Sequence, residues 1–298
     1  MFKVRARLVL LAVLSLITPA VAMAANAVAG TTYHGQVITA PPGTSVSDWN
    51  ILVVPRNMGG QELGSEGDNA LLRFEVSASP LNNVEWSVWA RFKHRNSSGS
   101  GTWYPSIVDY LLVRKELSAA GTLTDGGSIT VPPGTSISDW NIVVSPASAG
   151  YEEPTTEFDN SLLRFSTSYT AVDNFTWQVQ APYKFRHSNQ GAAFVGAGQA
   201  SYLLVSRSAS FTGVATHGQT IAAPVNTAVS DWSMLLLPTS VGYEEPGSEG
   251  DNALLLFDST VQSSSTYQWQ MFGAFKYRYQ NADGSWYAAP LSYIAVHN

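Results

Sequence analysis

The chain of 298 residues contains no cysteine, which excludes disulfides, thiolate metal centres and cysteine nucleophiles. Beyond its first 25 residues it has no apolar run long enough to cross a bilayer as a helix and no sustained helical spacing of apolar residues. It also lacks G-x-S-x-G, H-E-x-x-H and any glycine-rich phosphate loop. His34 and His217 have Asp125 at their equivalent place, so no histidine-based centre is repeated. Carboxylates are plentiful and could pair as a glycosidase acid and nucleophile, but nothing singles out two of them. The chain reads as a non-enzyme.

The first residues, "MFKVRARLVLLAVLSLITPAVAMAA", place Lys3, Arg5 and Arg7 ahead of a short apolar run and close on Ala22-Met23-Ala24. This is the pattern of a cleaved secretory signal over residues 1–25, and the apolar run is short for a retained anchor. A secreted protein, extracellular or periplasmic and without membrane insertion, is expected. The leader holds three of the 16 basic residues and no acid, so 13 Lys and Arg remain against 22 Asp and Glu, a balance of −9. That acidity argues against nucleic acid as a partner.

What is present is a repeat. "GTSVSDWNILVVP" from Gly43 returns as "GTSISDWNIVVSP" from Gly134 and "NTAVSDWSMLLLP" from Asn226. Asp48, Asp139 and Asp231 lie 91 and 92 residues apart, as do Trp86, Trp177 and Trp269, and Arg95, Arg186 and Arg278. Three copies are expected, over residues 29–117, 118–209 and 210–298, each the size of a small domain. Within a copy every candidate element is a strand rich in β-branched and aromatic residues and bounded by Gly, Pro, Asn and Ser. In "VEWSVWARFKHR", two-residue alternation puts Trp86, Val88, Ala90 and Phe92 inward and Ser87, Trp89, Arg91, Lys93 and Arg95 outward. The expected fold class is all-β, with three tandem antiparallel β-sandwich repeats of about 90 residues. The short links near "KELSAAG" and "RSASFTG" favour packing of the repeats on one another with pseudo-threefold symmetry.

Three shared features are candidate sites. In the first, Asp48, Asp139 and Asp231 either accept backbone hydrogen bonds at a tight corner, the favoured reading, or contact a ligand. The second is an acidic loop carrying Glu66 and Asp68, Glu157 and Asp159, and Glu249 and Asp251, preceded by Glu62, Glu153 and Glu245. It has the oxygen ligands that Ca²⁺ requires, although its spacing is not that of an EF-hand and a solvated loop is the ordinary case. No other cofactor is expected. The third is the basic pair Lys93 and Arg95, repeated as Lys184 and Arg186 and as Lys276 and Arg278. These cations either meet the acidic loops or join Trp103 and Tyr104, and Trp286 and Tyr287, in sites for a hydroxylated or anionic ligand. Copy two reads "GAAFVGAGQASY" where the others carry Trp-Tyr, which suits a spacer.

The succession "HGQVITAPPG", "RFEVSASPLNNVEWSVWARF" and "SIVDYLLV" resembles the H-type lectin domain and is similar to repeat modules at phage tail-fibre tips. The resemblance runs loosely from the first strand of each copy to its last and lies in strand rhythm and a terminal aromatic strand. It implies a small antiparallel sandwich, threefold assembly and recognition of cell-surface sugars. That family's sugar-binding residues do not match here one by one, so none is carried over. The leading expectation is a lectin-like protein that binds glycans or another surface polymer. The alternative is a structural or adhesive surface protein whose repeats mediate protein–protein assembly.

Overall fold

The computed structural model describes residues 25–60, 69–96, 101–151, 160–186, 194–243, 252–279 and 284–298. Among them the chain is all-β, with helical structure limited to single 3-10 turns. The first sequence copy supplies β1 (Ala27–Tyr33), β2 (Val37–Thr39), β3 (Trp49–Gly59), β4 (Ala70–Pro80), β5 (Glu85–Arg95), β6 (Thr102–Pro105) and β7 (Ile107–Arg114). The second supplies β8 (Ser118–Thr124), β9 (Ser128–Thr130), β10 (Trp140–Gly150), β11 (Ser161–Ser166), β12 (Ser168–Ala171), β13 (Thr176–Gln180), β14 (Pro182–Arg186), β15 (Phe194–Ala197) and β16 (Gln199–Ser206). The third supplies β17 (Ser210–Ala215), β18 (Thr220–Ala222), β19 (Trp232–Pro238), β20 (Ser240–Gly242), β21 (Ala253–Ser265), β22 (Gln268–Arg278), β23 (Ser285–Ala288) and β24 (Leu291–His297).

All pairings among the described residues are antiparallel, and three of the sheets cross from one sequence copy to another, the smallest of the three in the order β15-β14-β11-β20. One runs β1-β7-β3-β21-β22-β18 with β23 on β22, and another runs β2-β5-β4-β10-β16-β8 with β6 on β5. The second copy's hairpin strands are interrupted at Thr167 and Ala181. Pro182 stands beside the second break, where a missing N–H cannot continue a ladder.

Alternation sets the inward face. Trp86, Val88, Ala90 and Phe92 are all buried, with Ile38, Trp49 and Phe74 in the same core. Burying such side chains is the main favourable term in a chain without disulfides, at about 1.5–3 kcal/mol each.

The ends of three equivalent strands reach across to another copy. β10 pairs with β4, placing Ala149 opposite Phe74 and Gly150 opposite Arg73. β20 pairs with β11, placing Val241 opposite Phe165 and Gly242 opposite Arg164. β3 pairs with β21, placing Met58 opposite Phe257 and Gly59 opposite Leu256. Copy two thus joins copy one, copy three joins copy two, and copy one joins copy three. The three phenylalanines touch one another edge to face, with ring centres 4.9, 5.7 and 5.1 Å apart. A second buried cluster draws equivalent residues from all three copies, including Leu52, Val143 and Leu235, and Val113, Val205 and Val296. Gly59, Gly150 and Gly242 occupy the pairing ends with φ of 113°, 101° and 91°, where a Cβ would collide with the carbonyl oxygens of Leu255, Leu72 and Leu163. Only glycine fits such a backbone without strain.

Candidate functional site

The Asp-Trp phrase builds a one-turn 3-10 corner at Val46–Asp48, Ile137–Asp139 and Val229–Asp231. Asp48 Oδ2 accepts the Ser45 N–H at 2.8 Å and the Ser45 hydroxyl at 3.0 Å, and Asp139 repeats both bonds with Ser136. Asp231 keeps only the backbone bond, from Ala228 at 2.8 Å, because alanine has no hydroxyl. These bonds, the backbone one first, hold the carboxyls of Asp48 and Asp139 below the usual range. The neighbouring indoles turn inward, and Trp49 Nε1 donates to Thr44 at 2.9 Å.

The basic pair does not face outward as alternation suggests. Lys93 is 7% exposed and Arg95 1% exposed, and Lys276, Arg278 and Arg186 are likewise buried. The reason is cover from another copy. On the paired strand β4, Ala70 stands opposite Arg95 and packs with Leu72, Ala253 and Leu255, so the third copy covers this end of the sheet. All five cations are engaged by further polar or electrostatic interactions. Their candidate partners in the acidic loops, Glu66, Asp68, Glu157, Asp159, Glu249 and Asp251, lie outside the described residues, and so does the proposed Ca²⁺ site.

The aromatic candidates divide. Tyr104 stacks on Phe92 at 5.6 Å, and Tyr287 stacks on Phe275 at 5.6 Å and meets Tyr243 at 4.8 Å, so both belong to the core packing. Trp286 stands opposite Lys276 on the surface, 50% exposed. Trp103 stands opposite Lys93 on β6 and enters a different arrangement.

The Arg91 guanidinium lies 4.0 Å from the ring centre of Trp103 and 4.5 Å from that of Trp89. Glu75 fixes this stack. Its Oε2 accepts Arg91 Nε and Nη2 at 3.1 Å each and Trp89 Nε1 at 3.2 Å, while Oε1 meets Arg73 Nη2 at 2.6 Å. His34 packs edge-on to Trp89 at 4.8 Å, and its Nδ1 accepts the Ala90 N–H at 3.1 Å. Asp125, at the matching position of copy two, accepts the equivalent Ala181 N–H at 2.6 Å, so histidine and aspartate share one tethering role.

Trp89 remains 44% exposed at the rim of a cleft of about 400 Å³ between the first and second copies. Arg73 and Glu75 line it from β4, and Ser148, Tyr151 and Gln199 from copy two. The sequence signal for this group was Trp89 and Arg91, two apart on the polar face. What joins them to Trp103 and Glu75 is the β5–β6 and β4–β5 register. Copy two has Gln180 and Pro182 where copy one has Trp89 and Arg91, and copy three has Phe272 and Ala274, so the group belongs to copy one alone. Chemically it offers a flat indole face, a fixed cation and neighbouring hydroxyl and amide groups.

No three His, Cys, Asp or Glu side chains among the described residues could share a metal ion, and no helix there is long and apolar enough to cross a membrane. Compared with known protein families, with curated proteins and with solved structures, the chain matches none of them.

Proposed function

We propose that this chain is an exported, non-enzymatic saccharide-binding protein whose principal site is the cleft at Trp89. The observation that carries the reading is the exposed Trp89 indole beside Arg91, with Glu75 bonded to both. Indole faces stack on the apolar side of a sugar ring, and a fixed guanidinium fork holds ring oxygens or a carboxylate. An exposed aromatic already locked by hydrogen bonds loses little freedom on binding, which favours affinity. Of the residues expected from sequence to contact a ligand, Trp103 reaches this group through its stack on Arg91.

We infer further that the three sequence copies are sandwich repeats packed as an internal trimer. The cyclic pairing of β3, β10 and β20 and the mutual contact of Phe74, Phe165 and Phe257 support this arrangement. That strand continuity also favours a second reading, in which the surface serves assembly with other proteins rather than glycans.

A glycan array probed with the whole protein, alongside Trp89→Ala, separates the two. Saccharide binding predicts retention on a defined set of glycans that the variant loses while its thermal midpoint stays within a few degrees, since an exposed ring contributes little to the core. Absence of retention on every glycan, or undiminished retention by the variant, overturns the cleft as a sugar site.

A further inference from the structure

The hairpin tip of copy two leaves Phe175 on the surface, 56% exposed. The tip is not loose. The Phe175 N–H donates to Asp173 at 2.7 Å, and the carbonyls of Asn174 and Phe175 accept from Ile137 and Val131 at 2.9 Å each. These bonds clip the tip against the Pro132-Pro133-Gly134 loop and leave a hollow of about 570 Å³, lined by that loop together with Ser136, Asp139 and Phe175. Asp139 commits Oδ2 to its own turn, and its Oδ1 has no hydrogen-bond partner among the described residues. The hollow therefore combines an aromatic side chain on a backbone clipped by hydrogen bonds with a carboxylate oxygen open to solvent, the Ser136 hydroxyl being taken up by Asp139 and Ser138.

We propose that this hollow is a second binding site, for a neutral pyranose, with the apolar face of the sugar on Phe175 and its hydroxyls donating to Asp139 Oδ1. The class of ligand rests on the saccharide reading above, but the site and its chemistry are separate. The cleft at Trp89 offers a cation, whereas this hollow offers an anion and so disfavours a sugar acid. The equivalents in the other copies grade the expectation. Copy three keeps an exposed aromatic, Tyr267, but has Ala228 in place of Ser136 and Asn226 in place of Gly134; copy one has Val84 where Phe175 stands. Sugar binding should be strongest in copy two, weaker in copy three and absent from the first copy's corner.

Amide ¹H–¹⁵N spectra of the full chain, titrated with methyl β-glucopyranoside, methyl β-galactopyranoside, methyl α-mannopyranoside and methyl β-glucuronide, test this directly. The expected result is saturable shifts at Ser136, Asp139 and Phe175 with at least one of the neutral glycosides and none with the glucuronide. Phe175→Ala should remove these shifts while leaving the rest of the spectrum in place, and Phe175→Tyr should keep them. Trp89→Ala should leave them unchanged, which separates this site from the cleft. The proposal is overturned if no neutral glycoside shifts these amides, if Phe175→Ala binds as before, or if Trp89→Ala abolishes the shifts.

Discussion

Phe74 meets Phe165 edge to face with ring centres 4.9 Å apart, although the two belong to different sequence copies. Phe257 contacts both, and all three side chains are essentially excluded from solvent. Each ring thus depends on partners that the other copies supply. Phe165→Ala should cost about 3–5 kcal/mol in urea denaturation, since the void cannot close without moving two other strands. Adding Phe74→Ala should cost less than the sum of the single losses, because the rings share contacts. Strict additivity would show that they do not act as one unit.

Ser145 is the polar exception in an apolar setting. It is buried, its hydroxyl has no hydrogen-bond partner, and in the other copies its place is taken by Val54 and Leu237, both in the shared cluster. Burying an unmatched hydroxyl costs about 1–3 kcal/mol. Ser145→Ala, which removes the unmatched hydroxyl without adding volume, should therefore raise stability by roughly 1 kcal/mol, read from the denaturation midpoint. A destabilised variant would point to a partner for the hydroxyl.

The glycines at the crossing strands yield a paired test. Gly150→Ala introduces both a left-handed backbone penalty and a collision with the Leu72 carbonyl, and should cost about 3 kcal/mol or more. Gly134→Ala has a comparable φ of 82° with nothing near the new carbon, so its cost should stay near 1 kcal/mol, the backbone part alone. Equal costs would mean that close approach at the crossing contributes nothing.

Two kinds of carboxylate should give opposite pH responses. Asp48 and Asp139 titrate below the usual range because of hydrogen bonds from Ser45 and Ser136. Their contribution is complete above the ordinary carboxyl pKa and is lost as pH falls through the lowered folded value. Asp109 is the reverse. Burial raises its pKa despite the Thr31 hydroxyl and the Arg56 guanidinium at 3.2 Å. Stability from this shift is complete below the ordinary value and is lost as pH rises through the raised one. Denaturation between about pH 3 and neutrality should show a shallower acid loss in Asp139→Asn and a steeper one in Asp109→Asn. Parallel profiles for the two variants would contradict these assignments.

The strand pattern, the inward aromatics and the threefold repeat of Asp-Trp could all be read from alternation and spacing, because these depend on neighbours within a few residues. The burial of Lys93 and Arg95 could not. At that end of the sheet Ala70 and Leu72 pack on Ala253 and Leu255 of the third copy, and Ala253 is more than 150 residues from either cation. The stack of Arg91 between Trp89 and Trp103 was half visible. Alternation places the first two residues on one face, but the position of Trp103 depends on where the chain returns after residues 97–100, and Glu75 arrives from another strand. Periodicity reports what faces out; register decides which outward residues meet.

In the pairing cycle of β3, β10 and β20, every copy lends one strand end and receives another. Removing any copy leaves a lender without a recipient and a recipient without a lender within the same molecule. Those two orphans share one pairing register, since the lent residues Met58, Ala149 and Val241 each stand opposite an equivalent phenylalanine. A fragment of two copies therefore carries both halves of an adhesive joint, and two such fragments can close it by exchange. The fused chain keeps that joint private by holding all three partners at high local concentration, so its length protects against the self-association that its parts invite.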